Sequence, residues 1–233
     1  RNGSRSGPGW DRHLPPPHSR RWAPLRHRVQ AALPVLARRT AAVGIRGFEW
    51  AVGVPGSLGG AIRMNAGGHG SDISESLVSA QVLDFRTGEI ATVLTPEFGL
   101  RFRASDIEDQ QLIISGTLSL TYGSPQESLQ MIDDIVRWRR ENQPGGQNAG
   151  SVFVNPVPGE ITAGQLIDRC GLRGFRIGSA EVSMKHANFI QADVGGSAQD
   201  IVTLMRHIQR VVGDTSGYEL RSEIRLIGFE RES

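Results

Sequence analysis

The sequence is poor in several residue types at once. Its 233 residues include one cysteine, Cys170, one lysine, Lys185, and two tyrosines. A single cysteine excludes an internal disulfide and any multi-cysteine zinc site, so no metal is expected, and it fits a reducing compartment such as the cytoplasm. Cys170 lies on the apolar side of a predicted helix, where a small buried hydrophobe is its ordinary role. Long apolar runs are absent. Ala31-Ala32-Leu33-Pro34-Val35-Leu36-Ala37 is representative, far below the ~20 residues a membrane helix needs. No charged segment followed by an apolar stretch opens the chain, so neither a secretory signal nor a membrane partner is expected.

Charge is present but unevenly placed. Residues 1–48 carry ten arginines against Asp11 alone, a balance of +9, so the total of +2 leaves −7 for residues 49–233. The basic pI belongs to the front of the chain, and nucleic-acid binding by the body is not expected. The chain changes character near residue 30. "RNGSRSGPGWDRHLPPPHSRRWAPLRHRVQ" is rich in Arg, Pro, Gly and His and shows neither helical nor strand periodicity. Such a segment buries too little apolar surface to offset chain entropy, so residues 1–30 are expected to be disordered and dispensable. The same composition also arises when GC-rich DNA is read out of frame, so a non-native segment is the second reading.

From Leu33 onward the text is protein-like. "LPVLARRTAAVG" reads as an amphipathic helix closed by Gly44. Strands are predicted over residues 77–85, 90–94 and 111–122, the first two joined by a turn at Arg86-Thr87-Gly88-Glu89. Ser124-Pro125-Gln126-Glu127 starts a helix whose buried stripe is expected at Leu129, Ile132 and Val136 and which stops before Pro144. Thr162 with Gln165 starts another, closed by Gly171. Ser197 starts a third, carrying Ile201, Leu204, Ile208 and Val211 and closed by Gly213. "YELRSEIRLIG" is read as a final strand, with Glu219, Arg221, Glu223 and Arg225 on one face. Strands and helices mix without a strict βαβ rhythm, which predicts an α+β fold.

Three segments could carry chemistry. "GVPGSLGGAIRMNAGGHG", residues 53–70, lacks a G-x-G-x-x-G fingerprint and the G-K-[ST] ending of a P-loop. Its glycines could let main-chain N–H groups approach a pyrophosphate or a planar ring, though a plain glycine-rich loop is the commoner reading of this segment alone. "LRFRASD", residues 100–106, alternates so that Arg101 and Arg103 should share a strand face suited to a carboxylate or phosphate, or be simply solvated. The third is the last strand, where Glu219, Arg221, Glu223 and Arg225 stand opposite Leu220, Ile224 and Leu226, by default an exposed charge ladder. Apart from these, "GGQNAGSVFVNP", residues 145–156, puts Ser151 directly after Gly150 at the start of a short strand, where a hydroxyl can face a pocket.

In their order, "GFEWAVGVPGSLGGAIRMNAGGHGSDI", "FRAS", "QNAGSVFVNP", "GLRGFRIGSAEVSMKHANFI" and "SEIRLIG" resemble the UDP-N-acetylenolpyruvoylglucosamine reductase (UDP-N-acetylmuramate dehydrogenase) family, in its shorter subtype. The resemblance covers residues 33–229. It implies a flavoprotein of cell-wall peptidoglycan synthesis, with FAD and NADPH as cofactors and an enolpyruvyl ether of a UDP-sugar as small-molecule substrate, acting as a monomer. It implies Ser151 as proton donor, Arg103 of Phe102-Arg103-Ala104-Ser105 as the arginine that stabilises the enolate, and Glu223 as the glutamate beside it. It assigns FAD contacts to Gly53, Val54, Pro55, Gly56, Ser57, Gly59, Gly60, Asn65, Ala66, Gly67 and Gly70. Substrate contacts fall on Asn155, Lys185, His186, Asn188 and Arg225.

The implied fold is the FAD-binding fold of the vanillyl-alcohol-oxidase type, in an incomplete form, followed by an α+β substrate-binding domain. Residues 31–143 would form the second FAD-binding subdomain and residues 144–233 the substrate-binding domain. The family's first subdomain carries a Gly-x-Gly-Ser-Asn stretch that holds the flavin diphosphate, and residues 1–30 do not resemble it. Weak or absent FAD binding is therefore expected of the isolated chain, and a flavin-deficient, non-catalytic remnant that at most binds a UDP-sugar is the alternative function. A different FAD oxidoreductase of the same fold would not need the Ser151, Arg103 and Glu223 set.

Overall fold

The computed structural model describes residues 23–229, which form two compact units dividing between Val136 and Arg137. That division falls earlier in the chain than the 143/144 boundary expected from sequence.

The first unit is built on an antiparallel sheet in the order β1-β7-β5-β6, from β1 (Ala23–Arg28), β5 (Leu77–Asp84), β6 (Ile90–Leu94) and β7 (Gln111–Tyr122), with β2 (Ile45–Arg46) also paired to β7. Two helices, α1 (Leu33–Ala42) and α2 (Leu58–Arg63), and a 3-10 turn at Glu49–Gly53 accompany it. Helix α2 meets the sheet at Gly116, where an added Cβ would stand 2.8 Å from Ile62 and 3.4 Å from Leu58. Leu58, Ile62, Phe48, Phe98 and Leu118 are fully buried at this core. The strand and helix expectations for residues 33–44, 77–85, 90–94 and 111–122 agree with these elements.

Residues 23–28 correct the reading of an unstructured front segment. They pair with β7 in register, Ala23 opposite Leu120 through Arg28 opposite Ser115. Leu25 packs against the core, His27 is half-buried, and Arg26 and Arg28 are exposed. This is strand alternation, hidden in the sequence because histidine stands at inward position 27, where an apolar residue would mark it. The backbone of β7 supplies the hydrogen bonds that hold the segment. The expectations for residues 1–22 lie outside the described residues.

Helix α3 (Pro125–Asn142) begins where Ser124 and Pro125 predicted, but its buried stripe is Ser128, Ile132 and Ile135. Leu129 is exposed and Val136 half-buried. A polar contact turns the stripe: the Ser128 hydroxyl donates to Oε1 of Glu49 at 2.6 Å, and Glu49 is itself buried. The other carboxylate oxygen of Glu49 accepts the Gly47 N–H at 2.7 Å, and Arg46 stands 3.9 Å from Oε1. A buried carboxylate needs such partners, and the helix presents the residue that supplies one.

The second unit holds a four-stranded antiparallel sheet in the order β8-β11-β10-β9, from β8 (Gln147–Ser151), β9 (Arg176–Ile177), β10 (Ala180–Val182) and β11 (Phe189–Ala192). Helices α4 (Ala163–Arg169) and α5 (Ala198–Ser216) bury Leu166, Ile167, Leu204, Met205, Ile208 and Val212 in its core. Thr162 and Gln165 cap α4 reciprocally, in agreement with the sequence reading. Cys170 is the C-cap of α4 and packs against this core. Helix α5 continues through Gly213 and stops at Gly217, which takes the left-handed conformation at φ 74°. Gly213 is tolerated because the preceding turns are already anchored in the core by Ile208 and Val212.

The predicted final strand does not form. Residues 218–229 make an isolated bridge, Phe153 to Ser222, and no regular ladder. The alternation of charge there reflects exposure, with Arg221 and Arg225 exposed and Glu223 half-buried.

Replacing Ser128 with Ala leaves Glu49 short of a donor inside the core. Urea denaturation should show a loss of about 2 kcal/mol, the scale of a buried hydrogen bond to a charged group. A loss indistinguishable from that of an exposed serine elsewhere in the unit would show that Glu49 does not depend on it.

Candidate functional site

The glycine-rich segment leaves the Glu49–Gly53 turn with Gly53 buried and Val54 half-buried, then exposes Pro55 and Gly56. Ser57 caps α2, its side chain accepting from Gly60 N at 3.3 Å. The amides that open α2 are spent inside the chain. Leu58 N donates to Ala31 O at 2.9 Å and Gly59 N to Val29 O at 3.1 Å. A phosphate therefore finds no free helix N-terminus at α2, and the planar-ring reading of this segment gains over the pyrophosphate one.

The glycines have distinct causes. An added Cβ at Gly59 would stand 2.8 Å from Val29, and one at Gly67 would stand 2.5 Å from the Asp72 Cβ and 2.6 Å from the Ser71 carbonyl. Those two permit internal packing, the second where β3 (Gly67–Gly68) pairs with β4 (Ser71–Asp72). Gly56 (φ 123°) and Gly70 (φ 84°) have nothing within 4 Å of an added Cβ, so their faces are open. Ala66 N is bonded to Ala61 O at 2.9 Å and Ala66 O accepts from Ile73 N at 3.0 Å. Asn65 is buried; its Nδ2 donates to Asp72 Oδ2 at 3.2 Å and to Arg101 O at 3.3 Å, and its Oδ1 accepts from Ser74 N at 3.2 Å. It fastens the loop from within.

The expectation that Arg101 and Arg103 share a strand face does not hold. Arg101 and Ala104 close a tight turn with reciprocal backbone bonds of 3.0 Å, and Arg103 sits at φ 53°, left-handed for a non-glycine residue. Arg101 pairs outward with Asp106 at 2.5 Å. Arg103 is half-buried, donates from Nη2 to Gly67 O at 3.0 Å, and lies 5.0 Å from the Phe102 ring centroid. Ser105 Oγ donates to Arg63 O at 2.6 Å. Three bonds, from Asn65, Arg103 and Ser105, thus join this turn to the glycine segment. Sequence reasoning quoted Asp72 and Ser105 within motifs but gave them no role as its fasteners; their partners Asn65 and Arg63 are set by tertiary contact. A separate cleft of about 660 Å³, lined in part by Arg26, Arg28, Gln81 and Ser115, contains none of the site residues expected from sequence.

In the second unit Ser151 ends β8, half-buried, opposite Phe189 of β11 and directly after Gly150 at φ 81°. The chain then runs between two partners. On one side Glu223 N donates to Val152 O at 2.8 Å and Val154 N to Arg221 O at 2.9 Å. On the other, Val152 N donates to Asn188 O at 2.9 Å, and the Asn188 side chain exchanges two bonds with the Phe153 backbone. Ser151 and Glu223 are therefore brought close in this unit, joined through the residue between them by one backbone hydrogen bond.

The remaining residues divide. Asn188 is buried and spent on the backbone. Asn155 Oδ1 accepts from Ala163 N at 3.1 Å at the start of α4, and Lys185 Nζ donates to Arg140 O. Arg225 is exposed. His186 packs edge-on to Phe189, and its Nδ1 accepts the Asn188 N–H at 3.2 Å. Burial first, then the nearby Arg173 charge, hold the imidazole pKa below its ordinary 6.5.

Residues 142–227 match the family model for the UDP-N-acetylenolpyruvoylglucosamine reductase C-terminal domain. The UDP-N-acetylenolpyruvoylglucosamine reductase of Gloeobacter violaceus is 44% identical over 201 residues, covering 84% of this chain and 67% of that protein. The chain belongs to this family. The Prochlorococcus marinus reductase is 40% identical, with the same two coverages. The crystal structure of the Thermus caldophilus reductase superposes with a TM-score of 0.74 at 31% identity, covering 84% of this chain and 70% of that one. The chain thus spans about two thirds of the length of these family members. No described helix is long and apolar enough to cross a membrane.

The packing around Gly67 can be tested by adding a methyl group. Gly67→Ala should cost about 1–3 kcal/mol by overpacking against Asp72 and Ser71, whereas Gly68→Ala, whose nearest neighbour would be Val54 at 3.8 Å, should cost clearly less; paired thermal melts decide it. For His186 the folded pKa lies below the unfolded one, so the unfolded state binds more protons as pH falls through 6.5. Stability present above that pH is lost below it. Unfolding free energies at about pH 7.5 and about pH 5.5 should differ more in the wild type than in His186→Gln, and equal differences would remove His186 from the pH dependence.

Proposed function

We propose that this chain carries out the reduction of UDP-N-acetylenolpyruvoylglucosamine to UDP-N-acetylmuramate in peptidoglycan synthesis, as an FAD-dependent oxidoreductase using NADPH. Family membership supports the substrate and reaction class. The observation that carries the assignment of residues is the backbone junction that holds Ser151 and Glu223 near each other.

The open faces at Gly56 and Gly70 and the exposed Pro55 fit a flat ring system, and Val54, Pro55, Gly56, Ser57 and Gly70 would hold it. Bound there, a reduced flavin would supply the hydride that the enolpyruvyl double bond takes up at its methylene carbon. The residues of the chain handle the charge and proton that remain. The adjacent carbon takes carbanion character, delocalised into its carboxylate as an enolate, and Ser151 Oγ gives that carbon a proton. A serine hydroxyl is a weak acid in water, so it serves only toward a strongly basic centre held at close range. Arg103 supplies fixed positive charge to the enolate, and its bond to Gly67 O pre-sets the guanidinium. The family resemblance gives Glu223 the part of a hydrogen-bonding partner of the enolate. Asn155, Lys185, His186 and Arg225 serve the substrate side.

One observation favours the alternative of a flavin-deficient chain that binds only the UDP-sugar. The amides of Leu58 and Gly59 are already bonded, so this segment does not stand in for the Gly-x-Gly-Ser-Asn stretch as a seat for the diphosphate. Flavin absorbance of the purified protein separates the two readings.

In Ser151→Ala, NADPH oxidation without the sugar should be unchanged, while sugar-dependent turnover should slow ~10²-fold or more, the scale of a lost general acid. Cysteine at 151 should retain more activity than alanine. Arg103→Ala should slow the same step by ~10²-fold, and the double variant by less than the product, because both groups act on one transition state. Stopped-flow measurement of the two half-reactions decides it. Equal slowing of both by Ser151→Ala would make the serine a structural residue of the cofactor site.

A further inference from the structure

A single side chain clamps the segment immediately after Ser151. Asn188 is only 4% exposed. Its Oδ1 accepts the Phe153 N–H at 2.9 Å and its Nδ2 donates to the Phe153 carbonyl at 2.8 Å. Its own carbonyl accepts the Val152 N–H at 2.9 Å. In this way an amide side chain imitates the edge of a neighbouring strand. It does so just beyond the last β8–β11 pair, Ser151 opposite Phe189, where both strands end.

The consequence reaches both residues of the junction. Val152 is bonded to Asn188 through its N–H and to Glu223 through its carbonyl. A shift of the Phe153 peptide would therefore move Ser151 on one side and Glu223 on the other. Each polar atom of the Asn188 side chain makes one bond to that one residue's backbone, half of what an amide can make. It is the burial of the side chain that keeps the remaining capacity from a ligand.

We infer that Asn188 is a positioning residue, fixing the register of residues 151–153 so that the Ser151 hydroxyl and Glu223 are presented together, and that it is not a substrate ligand. This rests on Ser151 being the proton donor. His186 extends the clamp by accepting the Asn188 N–H on Nδ1. Breaking the clamp should act on the chemical step, because a displacement of about 1 Å at a reacting group can cost ~10²-fold in rate.

Asn188→Asp is the discriminating variant. Protonated, the new carboxyl group is isosteric with the amide: its carbonyl accepts from Phe153 N and its hydroxyl donates to Phe153 O. Ionised, it sets a carboxylate against that carbonyl and loses the donor. His186 touches it, Arg173 acts on His186, and Lys185, Arg221 and Glu223 lie on the segments adjoining or bonded to the clamp, so each measurement is taken as a ratio to the wild-type chain at the same pH. In the ¹⁵N-labelled chain the Ser151, Phe153 and Glu223 amide resonances of Asn188→Asp should coincide with wild type at low pH and move together as the carboxyl ionises. Phe153 amide exchange should accelerate over the same range. Asn188→Ala, if it folds, should show displaced resonances at every pH. Sugar-dependent kcat, relative to wild type, should fall ~10–10²-fold along the same titration with KM changed by less than about threefold.

If Ser151 and Glu223 keep wild-type shifts while the introduced carboxyl group ionises, the clamp does not position them and the inference fails. If the amides move but the kcat ratio stays flat, or KM alone rises, Asn188 is structural or a substrate ligand, and the inference fails again. A wild-type chain with no turnover would overturn the proposed function for this chain, and the joint movement of the Ser151 and Glu223 amides would then decide the positioning claim by itself.

Discussion

The saturation of backbone hydrogen bonds along residues 152–154 is the constraint on which the second unit depends. Val152 and Phe153 are buried, so each of their peptide groups must find a partner away from water. Regular pairing with β11 ends at Ser151. Beyond it, the peptides are satisfied from two unrelated places, Asn188 and the irregular segment 221–223. Because those partners are few and each bond is buried, the geometry at Ser151 is determined by them rather than by the hydrophobic core beneath. The core supplies the stability; the peptide partners decide where the hydroxyl stands.

The first unit solves a related problem by different means. Its glycine segment packs so tightly, at Gly59 against Val29 and at Gly67 against Ser71 and Asp72, that neither glycine leaves room for a side chain. Asn65 satisfies the interior of that fold with three bonds, reaching β4, Ser74 and the Arg101 carbonyl. The turn that carries Arg103 is then tied to the same loop through Gly67 and Arg63. A guanidinium on a flexible side chain gains a fixed origin in this way, and fixed charge is what stabilises a developing anion effectively.

Much of the fold was legible because its signals are local. Capping residues marked α3, α4 and α5 at their first turns, and alternation marked β5 and β7. The elements that were not legible depend on contacts distant in sequence. The stripe of α3 turned toward Ser128 because of Glu49, a residue 79 positions away. Strand β1 was concealed because its inward position 27 is histidine, and only the presence of β7 makes it a strand. "YELRSEIRLIG" has strand-like alternation without a neighbouring edge along its length, and no ladder formed. At the candidate site, the family resemblance pointed to Ser151, Arg103 and Glu223 by position. It could not separate side chains that face a ligand from those, such as Asn65 and Asn188, whose amides are buried and bonded within the protein.

The left-handed backbone at Arg103 has a consequence for how this chain would change under different demands. For a residue with a Cβ that conformation costs roughly 1–2 kcal/mol, and glycine adopts it freely. Selection for thermal robustness alone would therefore push position 103 toward glycine or asparagine, in the direction opposite to selection for a guanidinium. A library sorted only on resistance to heat should be enriched in chains that have discarded this arginine, so the residue serves as a marker of which demand a given lineage has been under.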